Sequence, residues 1–129
     1  MEVQRLNPPS LPVPLAPYCQ VVRKGNIVTT AGMIALDAAG RVVGEGDVAA
    51  QTRQTLENLR LALEAAGATL RDVVKVTIFL SDVSHFPAMN AAYAEYFSQH
   101  PPARATVRAD LMRSLLLVEI EALAVLDGS

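Results

Sequence analysis

The chain has 129 residues, 51% of them hydrophobic, and a formal net charge of −2. That size suits one domain with its own core, and the mild acidity leaves no basic stripe for gripping a phosphate backbone, so nucleic acid is excluded as the default partner. A single cysteine, Cys19, cannot form an internal disulfide, no Cys/His cluster has zinc spacing, and no apolar run reaches membrane-spanning length.

Residues 1–17 are rich in proline and read as an arm with no chemistry of its own; they lack the basic start and continuous apolar core of a signal peptide, so a single cytoplasmic domain, 1–129, is expected. Two β-rich runs follow, near 18–23 and 27–33, separated by Lys24, Gly25 and Asn26, a hairpin turn in which Gly25 or Asn26 takes a positive φ. Asp37 to Gly40 is a second turn signal, and a short strand is expected at 41–43. From Asp47 the pattern becomes helical. Asp47 is placed to cap, Gly67 sits where a helix ends, and Leu56, Leu59, Leu63 and Ala66 recur on one face.

The β-branched run 73–81 predicts a strand. A second helix is expected to be capped by Ser84, with Pro87 in its first turn and Met89, Tyr93 and Phe97 facing the core. Two more strands are predicted at roughly 104–110 and 116–126, giving the order ββ(β)αβαββ: an α+β arrangement with two helices on one face of a mixed sheet. In the last strand Leu116, Val118, Ile120, Ala122 and Ala124 share one face, and Leu115, Leu117, Glu119, Glu121, Leu123 and Val125 the other. Two helices cover only one face, so the apolar residues on the other imply burial by oligomerisation.

Arg104, Thr106, Arg108 and Asp110 alternate with small apolar residues. If the last two strands form a hairpin turning near Arg113 and Ser114, Arg108 faces Glu119 and Thr106 faces Glu121. One reading of this pattern is a structural salt-bridge ladder. The other is functional: Arg104 has no facing carboxylate in that register, so its planar fork is free for a ligand carboxylate, and Glu119 can act on a water or a proton.

The segments "APYCQ", "GNIVTTAG", "DVAAQTRQTLENLRLALEAAGATLRDVVKVTIFLSD", "MNAAYAEYF", "PPARATV" and "VEIEALA", spread from about Tyr18 to Val125, together resemble the RidA family of reactive intermediate deaminases, also called YjgF-type proteins. The resemblance implies a chorismate-mutase-like α+β fold and a homotrimer with clefts between subunits. It also implies cofactor-independent, metal-free hydrolysis of enamines and imines such as 2-aminoacrylate to 2-keto acids and ammonia, the work of a 2-iminobutanoate/2-iminopropanoate deaminase. Carried across by position, it makes Glu119 the water-orienting carboxylate, Arg104 the cleft arginine, and Tyr18, Gly32 and Asn90 cleft residues, with Thr106 beside them on the arginine's strand. The chain departs from the family pattern at Ala31-Gly32-Met33, where many relatives resemble "SGQ", and at Leu111-Met112-Arg113, where they resemble "LP" before a charged turn. Two other readings stand beside it: a small-carboxylate-binding or chaperone-like protein without turnover, and a ribonuclease or translation inhibitor, which the acidity and the absence of a paired His85 and His100 argue against.

Overall fold

The computed structural model describes residues 1–128. Three strands, β1 (Val3–Leu6), β2 (Val21–Lys24) and β3 (Ile27–Thr30), precede helix α1 (Val48–Ala65); β4 (Val73–Leu80), helix α2 (Phe86–Phe97), β5 (Ala103–Arg108) and β6 (Val118–Val125) complete the chain. All six strands form one mixed sheet in the order β1-β2-β3-β6-β4-β5. The α+β class and the two helices are therefore as the sequence predicted.

Local chemistry accounts for most of the elements. The side chain of Asp47 accepts from the Ala50 N–H at the start of α1, and Gly67, at φ +83°, follows its last turn. Leu56, Leu59 and Leu63 are fully buried on the face of α1 that packs against β6, β3 and α2. Burial of each such side chain contributes about 1.5–3 kcal/mol. The β2–β3 hairpin turns at Gly25, whose φ of +59° a side chain would resist.

Four expectations need correction. The proline-rich arm carries β1, which pairs antiparallel with β2 as an edge strand. Residues 41–43 form no strand; Val42 makes only an isolated bridge to Leu36, in a segment too rich in glycine to extend the ladder. Ser84 does not cap α2. Asp82 accepts from the Ser84 N–H and opens a single 3₁₀ turn, Val83–His85, and α2 begins at Phe86 with Pro87 in its first turn as expected.

The fourth correction matters most. β5 and β6 are not a hairpin, because β4 lies between them. β4, α2 and β5 make a crossover unit with parallel strands, and β6 returns antiparallel on the other side of β4. Arg104 therefore lies opposite Val76, Thr106 opposite Ile78 and Arg108 opposite Leu80, while Glu119 faces Phe79 and Glu121 faces Thr77. Alternation reports which residues share a face and is silent about the neighbouring strand. The polar, arginine-bearing strand takes the sheet edge and the apolar β6 the interior, as the exposure of an edge strand favours.

One buried polar side chain joins the layers close to β6. Gln51, on α1 and fully buried, donates to the carbonyls of Gly44 (3.2 Å) and Leu115 (2.9 Å) and accepts from the Leu117 N–H (2.8 Å). It holds the chain at the entry to β6, two residues before Glu119. Gln51→Leu would fill the space and leave those backbone groups without partners, so a loss of about 1–3 kcal/mol and a lower melting temperature are expected in calorimetry. An unchanged melting temperature would show that Gln51 is not what holds that entry.

Candidate active site

The residues singled out by the sequence fall into two groups on opposite faces of the sheet. Val118, Ile120, Ala122 and Ala124 of β6 point into the core, so Glu119 projects from the face that the helices leave open. Ile27, Val74, Val107 and Val125, 44–54% exposed, mark the apolar character left uncovered by the helices.

Glu119 is half-buried and lies against Gly32. A Cβ built on Gly32 would overlap the Glu119 carboxylate, 2.7 Å from its Cδ, so the absence of a side chain there leaves room for the acid. Desolvation pushes the Glu119 carboxyl above its ordinary value of 4.5, and the charge of Glu121 adds to the shift. No cation offsets this: among the described residues the four ion pairs are Arg41–Asp37, Arg53–Glu95, Arg60–Glu57 and Arg60–Glu64.

Gly32 also lines an open cleft of about 610 Å³ together with Tyr18, Leu11, Met33, Leu36 and Arg113. Tyr18 is 53% exposed and sits in the bend between the arm and β2, outside the strand that the sequence suggested for it. Gly32 thus borders both the cleft that Tyr18 lines and the Glu119 carboxylate. The departures Met33 and Arg113 belong to the walls of the same cleft.

The second group lies between β5 and α2. Parallel register with the buried Val76 and Ile78 turns Arg104 and Thr106 toward the helix side at the edge of the sheet. Asn90 approaches from α2. Its Oδ1 and the Thr106 Oγ1 are buried without a hydrogen-bond partner, as is the hydroxyl of Tyr93. The Arg104 guanidinium lies 4.8 Å from the centroid of the Tyr93 ring and 5.7 Å from that of Phe86. Burial pushes the Tyr93 phenol up, and the neighbouring Arg104 charge opposes that rise.

Phe86 is the member of this group that sequence reasoning missed; Tyr93 faces the core as expected, and its contact with Arg104 is what the sequence did not show. The spacing of Phe86 and Tyr93 from Asn90, four residues before and three after, was the available signal, since such residues share a helix face. Arg104 and Glu119, in contrast, do not meet within one chain.

A six-stranded mixed sheet with two helices on one face, an arginine at one edge and a half-buried glutamate on the open face, neither in an ion pair among the described residues, mark a small α+β protein. Residues 9–126 match the model of the Endoribonuclease L-PSP family, and the chain belongs to that family, which is the YjgF/RidA family. It is 45% identical over 113 residues to a RutC family protein of Pyrococcus horikoshii, covering 88% of this chain and 90% of that one. It is 44% identical over 117 residues to the 3-aminoacrylate deaminase RutC of Acinetobacter baylyi (91% and 93% covered) and 41% identical over 117 residues to the 2-iminobutanoate/2-iminopropanoate deaminase of Salmonella typhimurium (88% and 91%). Among solved structures, that of Escherichia coli TdcF with bound serine superposes with a TM-score of 0.88 at 31% identity, covering 96% of this chain and 99% of TdcF.

Proposed function

We propose that this protein is a cofactor-independent deaminase that hydrolyses small 2-imino acids, and the enamines in equilibrium with them, to 2-keto acids and ammonia. The observation that carries this reading is that Arg104 and Glu119, the two charged groups a carboxylate-bearing imine requires, both lack an ion partner among the described residues. The names of the Acinetobacter and Salmonella relatives support it.

Arg104 receives the substrate carboxylate through its planar fork, with Asn90 and Thr106 as polar lining. CH2=C(NH2)COO⁻ takes a proton at C3 and gives one up from nitrogen, becoming the imine. Glu119, ionised, removes a proton from water as the oxygen bonds to C2 and the imine nitrogen takes a proton from solvent. The same carboxyl then protonates the amino group of the carbinolamine; the C–N bond breaks, the hydroxyl returns a proton to solvent, and pyruvate and ammonia leave. Burial raises the Glu119 pKa toward the working range of a base, and positioning supplies most of the acceleration for an already electrophilic carbon.

Because Arg104 and Glu119 project from opposite faces of one sheet, the complete site lies between copies: Tyr18, Gly32 and Glu119 come from one chain, and Arg104, Asn90 and Thr106 from the next. A homotrimer with three such clefts also buries the open apolar face. A ribonuclease reading finds less support. His85 and His100 lie beyond opposite ends of the 12-residue α2, about 18 Å long at helical rise, too far apart to act as an acid/base pair.

Subunit complementation tests the reading. Arg104→Ala and Glu119→Gln, each inactive alone on enzymatically generated 2-aminoacrylate, should regain activity when mixed and refolded together, because about one cleft in four then receives both native groups. Failure of the mixture to exceed its components would place both residues in one chain's site or outside the chemistry. Binding of pyruvate by a wild type that does not accelerate imine hydrolysis would favour the carboxylate-binding role.

A further inference from the structure

Arginine reaches its ligand on a long side chain, and ordering that chain on binding costs free energy unless the protein has already done so. Helix α2 is built to do so. Phe86, Asn90, Tyr93 and Phe97 occupy one face at spacings of four, three and four residues. Tyr93 is 8% exposed and stacks on the buried Phe97, with ring centroids 4.9 Å apart, so its ring is itself fixed. The Arg104 guanidinium lies over this ring and within 5.7 Å of Phe86. Among the described residues the Tyr93 hydroxyl makes no hydrogen bond of good geometry, although the Arg104 guanidinium lies near enough to oppose the rise of its pKa, so packing holds the ring where it stands.

We propose that Tyr93, with Phe86 beside it, is a positioning residue: the two rings form an aromatic platform that holds the Arg104 guanidinium ready for a ligand carboxylate. This inference rests on the deaminase reading of Arg104. The ring is the working part, and the hydroxyl joins the unsatisfied polar lining supplied by Asn90 and Thr106. The rings act on Arg104 alone, so their loss weakens ground-state and transition-state binding together and appears in KM rather than kcat.

The test combines affinity, kinetics and a spectroscopic reading of the platform on the intact protein. Tyr93→Leu and the half-exposed Phe86→Leu should each raise the Kd for pyruvate and 2-ketobutyrate and the KM for 2-aminoacrylate, by about 5- to 30-fold for Tyr93 and less for Phe86, as expected for a cation–π contact that is partly desolvated. Tyr93→Phe should restore most of the affinity, because the platform is intact. In NMR spectra of the wild type the Arg104 side-chain resonances should be displaced by the ring currents, and both leucine variants should reduce the displacement. Phe86 lies on the surface, so its variant remains informative even if Tyr93→Leu unfolds.

Wild-type affinity in both leucine variants would overturn the inference, as would a Tyr93→Phe variant as impaired as Tyr93→Leu, or an Arg104 without ring-current displacement in the wild type. A wild type that binds neither keto acid would instead overturn the deaminase reading, and with it the platform's part in ligand binding. The ring-current measurement tells the two failures apart, because it needs no ligand.

Discussion

Arg104→Ala is expected to remove most of the affinity for 2-keto acids while leaving the fold nearly intact. Among the described residues this side chain has no ion partner, and its guanidinium lies over the rings of Tyr93 and Phe86. Loss of that stacking at a partly exposed position costs about 0.5–1 kcal/mol, a small fall in melting temperature. Loss of a charge-assisted bidentate contact to a ligand carboxylate costs on the order of 2–4 kcal/mol, several tens-fold to several hundred-fold in Kd. Arg104→Lys should recover little, because an ammonium offers a point charge in place of a planar fork and stacks less well on the rings. Calorimetric titration with pyruvate and 2-ketobutyrate, alongside a coupled 2-aminoacrylate assay, provides the measurement. Unchanged binding and turnover would reduce Arg104 to a cation covering an aromatic edge.

Glu119→Gln is expected to reduce turnover by about 10²- to 10⁴-fold, the usual contribution of a positioned general base, with a much smaller effect on keto-acid binding. The same variant should be more stable than the wild type at neutral pH. Desolvation first, then repulsion from Glu121, raises the Glu119 pKa above its unfolded value of 4.5, so the folded state binds this proton more tightly than the unfolded one. Stability from that proton is fully present below pH 4.5 and is lost as pH rises through the folded-state pKa. The uncharged glutamine avoids the loss. Its advantage in thermal unfolding should therefore be present at pH 7 and disappear as pH falls below 4.5. In the wild type, imine hydrolysis should rise with pH across the same raised pKa as Glu119 ionises. A variant with lower activity and lower stability at pH 7 would mean that Glu119 is held by a cation in the assembled protein and serves the structure.

Elements with local signals are legible in the chain before it folds. α1 follows from the Asp47 cap, the leucines at helical spacing and Gly67; the β2–β3 turn follows from Gly25; the two-faced β6 follows from strict alternation. The six segments spread along the chain were enough to point to the family. They also picked out Arg104, Glu119, Gly32, Tyr18, Asn90 and Thr106 as candidates, of which Asn90 and Thr106 prove to carry buried polar atoms with unfilled hydrogen-bonding capacity beside Arg104.

The order of the strands is set by packing between elements. A period of two says that Arg104, Thr106 and Arg108 share a face, and the same pattern is satisfied by an antiparallel hairpin with β6 or by a parallel pairing with β4. The crossover through α2 selects the second, because a chain that passes over the sheet in a helix returns parallel to the strand it left, and the apolar β6 then takes the interior position. That choice moves Arg104 from the sheet face it was expected to share with Glu119 to the opposite one, against Tyr93 and Phe86. The strand β1 was equally hidden, since a four-residue edge strand in a proline-rich arm gains its stability from the ladder of β2 and carries almost none of its own signal. Contacts between residues far apart in the chain depend on how hydrophobic layers stack, and no spacing within a single element encodes that.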